Sequence, residues 1–311
     1  MMRRNRVRRT GLAILKSLVG AGPEAVKDIP VVGKAPGKVL SDIAEPVLNR
    51  IAIAQTQDRR QFALKKLFGT IGSTLVLPGT QHAQYPLLEG EKGYPSDMNA
   101  GKAIRRRLFP NIDLEEVSEP FPEPLAGTSL ICLCSPVANL LARDYLGNPS
   151  SSVRNVIKEV IRPDYSAELV YNYVAPARNA PLIKNHQSGR DLPWEERNWS
   201  IMAPNGPLTP RHDDNGFLDM DYLLITRLPS GAVGVGDVIL IGGTHGSGTQ
   251  AIDLFLEKLP LEKVEEIVDK LSGSDYYQVL LEVRDITHED RHSTGHDIRL
   301  VDCHSLKVVY N

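Results

Sequence analysis

Apolar residues fall into two kinds of run along the chain. Up to residue 72 they recur at helical spacing: Leu12, Leu15, Leu18 and Val19, then Val39, Ile43, Val47, Ile51 and Ala54. This predicts a short helix and then a longer one over 38–67, which Pro46 should split or kink. From residue 73 the apolar runs are short and continuous. They predict strands over 74–77, 129–134, 222–228, 238–241 and 277–283, with a closing hairpin of 299–304 and 307–310. Helical patterns lie between them, over 98–109, 137–146, 250–259 and 262–271. Ser135 stands as N-cap and Pro136 as first residue of the second of these. Residues 148–218 are rich in Asn, Pro and charge, with strand-like runs at 168–174 and 199–202. Strands that are apolar throughout, each followed by a loop and a helix, suit a mostly parallel sheet covered on both faces. The expectation is an α/β domain over 73–311 with a β-containing insertion at 148–218.

Charge separates the same two regions. Residues 1–72 hold 14 Lys and Arg against 5 Asp and Glu, while the whole chain carries a formal net charge of −2. The basic helical arm over 1–72 and the acidic body therefore have different jobs. Three readings of the arm stand side by side. It packs on the body, on a neighbouring copy or on an acidic partner protein; it meets an anionic membrane surface; or it meets nucleic acid. Phe62 and Phe68 are its only aromatics, which disfavours stacking on unpaired bases. Arg3, Arg4, Arg6, Arg8 and Arg9 ahead of an apolar stretch resemble an export signal, but Lys16 interrupts that stretch, and the segment is read as retained. There is no run of 18 apolar residues. Cys132, Cys134 and Cys303 are too few for an extracellular disulfide framework, so a cytoplasmic protein is expected.

The strongest local signal is Asp237-Val-Ile-Leu-Ile-Gly242-Gly243-Thr244-His245-Gly246-Ser247-Gly248-Thr249-Gln250. It reads strand, glycine-rich loop, helix. Gly242 and Gly243 allow a sharp turn, Gly246 and Gly248 leave main-chain amides open, and Thr249 can cap the helix. Such a helix start suits a phosphate or another anion. The loop is neither a P-loop nor the usual dinucleotide fingerprint. The competing reading is a tight turn that only packs helix on strand. Ser135 and Asn139, after the strand ending near 134, would face the same rim, as would the turn at Pro78-Gly79. Gly242, Gly243, Thr244, Gly246, Ser247, Gly248, Thr249, Ser135 and Asn139 are thus the candidate ligand contacts. His245 is the candidate catalytic or donor group.

Other constellations carry less. The Thr244-His245-Gly246 start resembles a zinc motif of carboxypeptidase-like hydrolases, but Gly248 occupies the place of its glutamate. His288, His292 and His296 share helical spacing that Ser293-Thr294-Gly295 breaks, so they are read as a polar loop. No metal or resident cofactor is expected. Glu89, Glu91, Asp97, Asp213, Asp214 and Glu168 are carboxylates that can face the rim, and nothing local selects one of them.

The buried strands, the Ser135-Pro-x-x-Asn139 loop and the Thr244-His-Gly-Ser-Gly-Thr249 loop resemble a Rossmann-like nucleotide-binding module. A basic helical arm before such a module is similar to the layout of some bacterial immune effectors. The resemblance, loose over 73–285, implies a phosphate-bearing, NAD-like nucleotide as ligand and cleavage of its N-glycosidic bond as an activity. The alternative is a non-catalytic scaffold or oligomerising subunit whose arm docks on an acidic partner or an anionic membrane.

Overall fold

A computed structural model describes residues 37–69, 73–79, 93–109, 115–116, 128–133, 139, 142, 146, 165–174, 182–185, 194–197, 199–229, 236–289 and 292–310. The chain divides into two compact units, residues 1–54 and 55–311. The described part of the first is helical from Gly37 and belongs to α1 (Gly37–Phe68). Pro46 does not end this helix. A proline costs one main-chain hydrogen bond, and the turns on either side continue.

In the second unit the last turns of α1 bury Ala63, Leu64, Leu67 and Phe68. The strands of the main sheet are β1 (Ser73–Leu77), β2 (Glu115–Glu116), β3 (Thr128–Leu133), β4 (Arg211–His212), β5 (Leu218–Leu228), β6 (Val238–Gly243), β7 (Tyr277–Arg284) and β8 (Asp297–Ser305). Their order is β8-β7-β5-β6-β3-β1-β2, and β4 pairs with β5. The neighbours from β6 to β2 are parallel. Every pairing from β8 to β6, and that of β4, is antiparallel.

The expectation of a Rossmann-like, mostly parallel sheet is therefore corrected to a mixed α/β sheet that is mostly antiparallel and only partly parallel. The physical cause lies between β5 and β6. Only residues 229–237 join them, too few for the dozen or more of a parallel crossover, so the chain turns straight back. Leu223 then pairs with Gly243 and Leu228 with Val238. The helical segment after β6 returns the chain not beside β6 but across β5, as β7.

The central strands β3, β5, β6 and β7 are largely apolar because both faces are covered. Ile131, Leu133, Leu223, Ile225, Ile239, Ile241, Val279 and Leu281 face one core with α1, α2 (Pro95–Leu108), α4 (Ile252–Glu257) and α5 (Leu261–Lys270). Leu130, Cys132, Leu224, Val238, Leu240 and Leu280 face a second core with Tyr171, Tyr173 and Ile201 of the insertion. The alternation within each strand is the two-residue period of β-structure. Each fully buried Leu or Ile stabilises by roughly 1.5–3 kcal/mol.

Three local expectations are also corrected. The 250–259 helix is two short ones, α3 (Gly246–Gln250) and α4, joined at Ala251. Ser247, Gly248 and Thr249 are weak helix formers, so the α3 turn stays short. The C-terminal hairpin does not form. β8 pairs with β7, and Val308–Tyr310 pairs with Tyr165–Ala167 of the insertion. The 168–174 run is divided because Gln278 Oε1 takes the amides of Val170 and Tyr171, both at 2.9 Å, in place of a strand partner.

Among the described residues no helix is long and apolar enough to cross a membrane.

Candidate functional site

The glycine-rich loop lies where the sequence places it, between a strand and a helix, but what it surrounds comes from elsewhere. Extending the β5–β6 register by two residues beyond the Leu223–Gly243 pair sets Asp221 opposite His245. Asp221 is fully buried. Its alternation with Leu223 and Ile225 points it to the helical face, under the start of α3.

The loop closes on this carboxylate. Ser247 Oγ donates to Asp221 Oδ2 at 2.7 Å, and the Gly248 amide donates to the same oxygen at 2.6 Å. Thr244 Oγ1 and the Tyr222 amide, the latter at 2.8 Å, donate to Oδ1. His245 Nδ1 lies 3.5 Å from Oδ1. Burial alone pushes a carboxyl's pKa up. Here the bonds and charge of His245, with the hydroxyls of Thr244 and Ser247, outweigh burial and hold Asp221 below the usual carboxylate range. The anion expected at the helix start is thus supplied by the chain itself.

The other loop groups are similarly engaged. The Gly243 amide donates to Thr249 Oγ1 at 2.9 Å, and the Gly242 carbonyl accepts from Tyr173 Oη at 2.5 Å. The Thr249 amide donates to the His245 carbonyl at 3.3 Å. Gly243 and Gly248 are glycines because strand and helix touch there. A β-carbon on Gly248 would stand 2.2 Å from the Tyr222 carbonyl oxygen, and one on Gly243 2.3 Å from that of His245. Gly246 is exposed, and its β-carbon would meet only Ser96, at 3.0 Å.

The ends of the parallel strands follow the same plan. Asn139 donates to the Leu133 carbonyl at 2.9 Å and accepts from the Ala142 amide at 3.0 Å, so it fixes its own turn. Asp97, fully buried in α2, accepts from the Gly79 amide at 2.9 Å. Of the six rim carboxylates weighed from sequence, Asp213, Asp214 and Glu168 are exposed, and Glu89 and Glu91 lie outside the described residues, as does Ser135. His288 is held by Ser293 and the Leu218 carbonyl, and His296 by Thr287. Among the described residues no group of His, Cys, Asp and Glu is arranged to hold a metal ion. A cavity of about 580 Å³ is lined by Glu168, Val170, Met202, Pro204, Ser305 and Lys307 with their neighbours, and no residue of the glycine-rich loop lines it.

Sequence reasoning missed Asp221 and His212. Asp221 had a signal: a charged residue inside the apolar run Leu218-Asp-Met-Asp-Tyr-Leu-Leu-Ile-Thr-Arg-Leu228, where a charge stays buried only if it is paired. His212 had none, because only the fold of β4 onto β5 carries it to His245. Taken together, the arrangement offers a histidine backed by a buried carboxylate, a pairing that holds an imidazole in one orientation and stabilises its protonated form. No family model, curated protein or solved structure matches the chain.

Proposed function

We propose that the protein binds a phosphate-bearing nucleotide at the rim formed by the ends of its parallel strands, with His245 as the group that donates to the ligand or transfers a proton, as in hydrolysis of an N-glycosidic bond. The observation that supports this is the buried Asp221 carboxylate beside His245. A charge at that depth is costly to keep, and a histidine so oriented suits acid–base work. The ligand contact in this reading is the exposed Gly246 and, once binding uncovers its buried ring nitrogens, His245; the amides of Gly243 and Gly248 serve internal acceptors.

The test is extraction and mass spectrometry of small molecules retained by the purified chain, followed by calorimetry with NAD, ATP and their nucleosides. Retention or binding of a phosphate-bearing nucleotide that is lost in His245→Asn, with the fold intact, is the expected result. Identical heats for the variant and the parent, or no binding across the panel, would end this reading.

A second reading, a non-catalytic scaffold, draws on a different observation: the inner donors of the loop are taken up by Asp221 and Thr249. In that case light scattering would find an oligomer that dissociates when residues 1–54 are removed, and no nucleotide would be retained.

A further inference from the structure

His245 does not stand alone above Asp221. The turn between β4 and β5 is fixed from within: Asp213 Oδ1 accepts from the Asn215 amide at 2.9 Å and the Phe217 amide at 2.8 Å, and Gly216 takes the left-handed conformation at φ 84°. This turn holds His212 against the loop. The His212 and His245 rings meet edge to face, with centroids 6.4 Å apart and planes at 84°. Two imidazoles this close, over one buried carboxylate, cannot both take a proton without strong mutual repulsion.

We infer that His212 and His245 form a two-imidazole unit that carries one proton above Asp221, with His245 as its acid and His212 as its base. The roles follow from position. A proton on His245 lies against the Asp221 carboxylate, 3.5 Å from Nδ1. A proton on His212 is opposed first by burial and then by His245, with Asp221, Asp213 and Asp219 acting the other way, so its pKa lies below the ordinary histidine value. The pull of Asp219 is partly spent on Arg211, which it meets at 2.6 Å. Groups pushed apart in this way arrive as an acid and a base at the same pH.

The inference rests on the proposed reading of His245 and adds its partner.

The experiment is a histidine C2–H NMR titration of the full chain between pH 4.5 and 9, on the parent, His245→Asn and His212→Asn. In His245→Asn the His212 transition is expected to rise by between about 0.5 and about 2 pH units, the range given by one charge at this separation in water-like and protein-like media. In His212→Asn the His245 transition should stay near its parent value, because His245 takes its proton while His212 is still neutral and only the second proton feels the charge of the first. The signals of His288, His296 and His304 serve as controls and should stay in place. A His212 transition unmoved by loss of His245, or a His245 transition that rises when His212 is lost, would overturn the unit. Since no ligand is added, coupled titration alongside an absence of retained nucleotide would uphold the unit while removing the nucleotide reading, and the opposite pair of results would do the reverse.

Discussion

At the scale of single residues, the glycines of the loop are not equivalent, and their difference can be measured. A methyl on Gly248 would press on the Tyr222 carbonyl oxygen and on the Cα of Gly243, both main-chain atoms that cannot move aside. Gly248→Ala is expected to destabilise by about 3 kcal/mol or more. Gly246→Ala meets only the Ser96 side chain, which can rotate, and should cost less than about 1 kcal/mol. Equal melting shifts for the two variants would show that strand and helix do not approach as described. Asp221 is the sharper case. In Asp221→Asn an amide NH2 must lie where Oδ1 or Oδ2 accepts now, against donors from Thr244 and Tyr222 or from Ser247 and Gly248. A loss of about 2–4 kcal/mol in denaturant unfolding at neutral pH is expected. Because the folded pKa of Asp221 is lowered, its stabilising effect is complete above the unfolded carboxylate value of about 3.9 and disappears as pH falls through the folded value. The variant should therefore lose the acid sensitivity that Asp221 brings below about pH 3.9.

At the scale of elements, the end of α1 belongs to the body as firmly as any strand. The Leu67 carbonyl, left open at the helix end, accepts from Tyr277 Oη at 2.6 Å and Arg227 Nη1 at 3.0 Å. Arg59 bonds both Glu265 oxygens, and Arg60 reaches the Leu259 carbonyl at 2.6 Å. Arg59 and Arg60 thus meet acceptors elsewhere in the compact unit that begins at residue 55. Composition changes near residue 72, where the charge balance turns, but the compact unit begins at residue 55. Charge reports what the surface presents, whereas the unit is set by the buried faces of Ala63, Leu64, Leu67 and Phe68. A chain trimmed to residues 55–311 should give a cooperative melt. A chain trimmed to 73–311 loses these four side chains, of which Leu64, Leu67 and Phe68 are each worth roughly 1.5–3 kcal/mol, against a typical total stability of about 5–15 kcal/mol. It should be unfolded or aggregated by circular dichroism and light scattering, and a native-like melt would contradict the assignment.

At the scale of the whole molecule, the existence of most sheet strands was legible and their direction was not. Leu223, Ile225, Ile239 and Ile241 are apolar because both sheet faces are covered, and that condition holds for either strand direction. Direction was set by the short 229–237 connection, and the antiparallel return it forces is also what brings Asp221 to His245. The glycine-rich loop was legible as a turn, while its occupant sat on another strand and became visible only through register. The insertion shows the same limit, since its attachment runs through side chains distant in sequence. Gln278 accepts from the Val170 and Tyr171 amides and donates to the Tyr171 carbonyl at 2.8 Å. Asp302 on β8 completes the attachment: Oδ2 accepts from Tyr171 Oη at 3.1 Å and meets His304 Nε2 at 2.7 Å, and Oδ1 accepts from Lys270 Nζ at 2.6 Å and the Cys303 amide at 2.8 Å. Burial raises the pKa of this carboxyl, but Lys270, the Cys303 amide and His304 together bring it down to about 2. Its contribution to stability is therefore full above the unfolded value of about 3.9 and fades as pH falls toward about 2. In Asp302→Asn that part of the acid dependence should vanish, while at neutral pH the 165–174 segment should exchange its amide hydrogens faster than in the parent. Unchanged exchange over 165–174, with β7 equally protected in both proteins, would mean that Gln278 alone secures the insertion and that the Asp302 contacts add nothing to it.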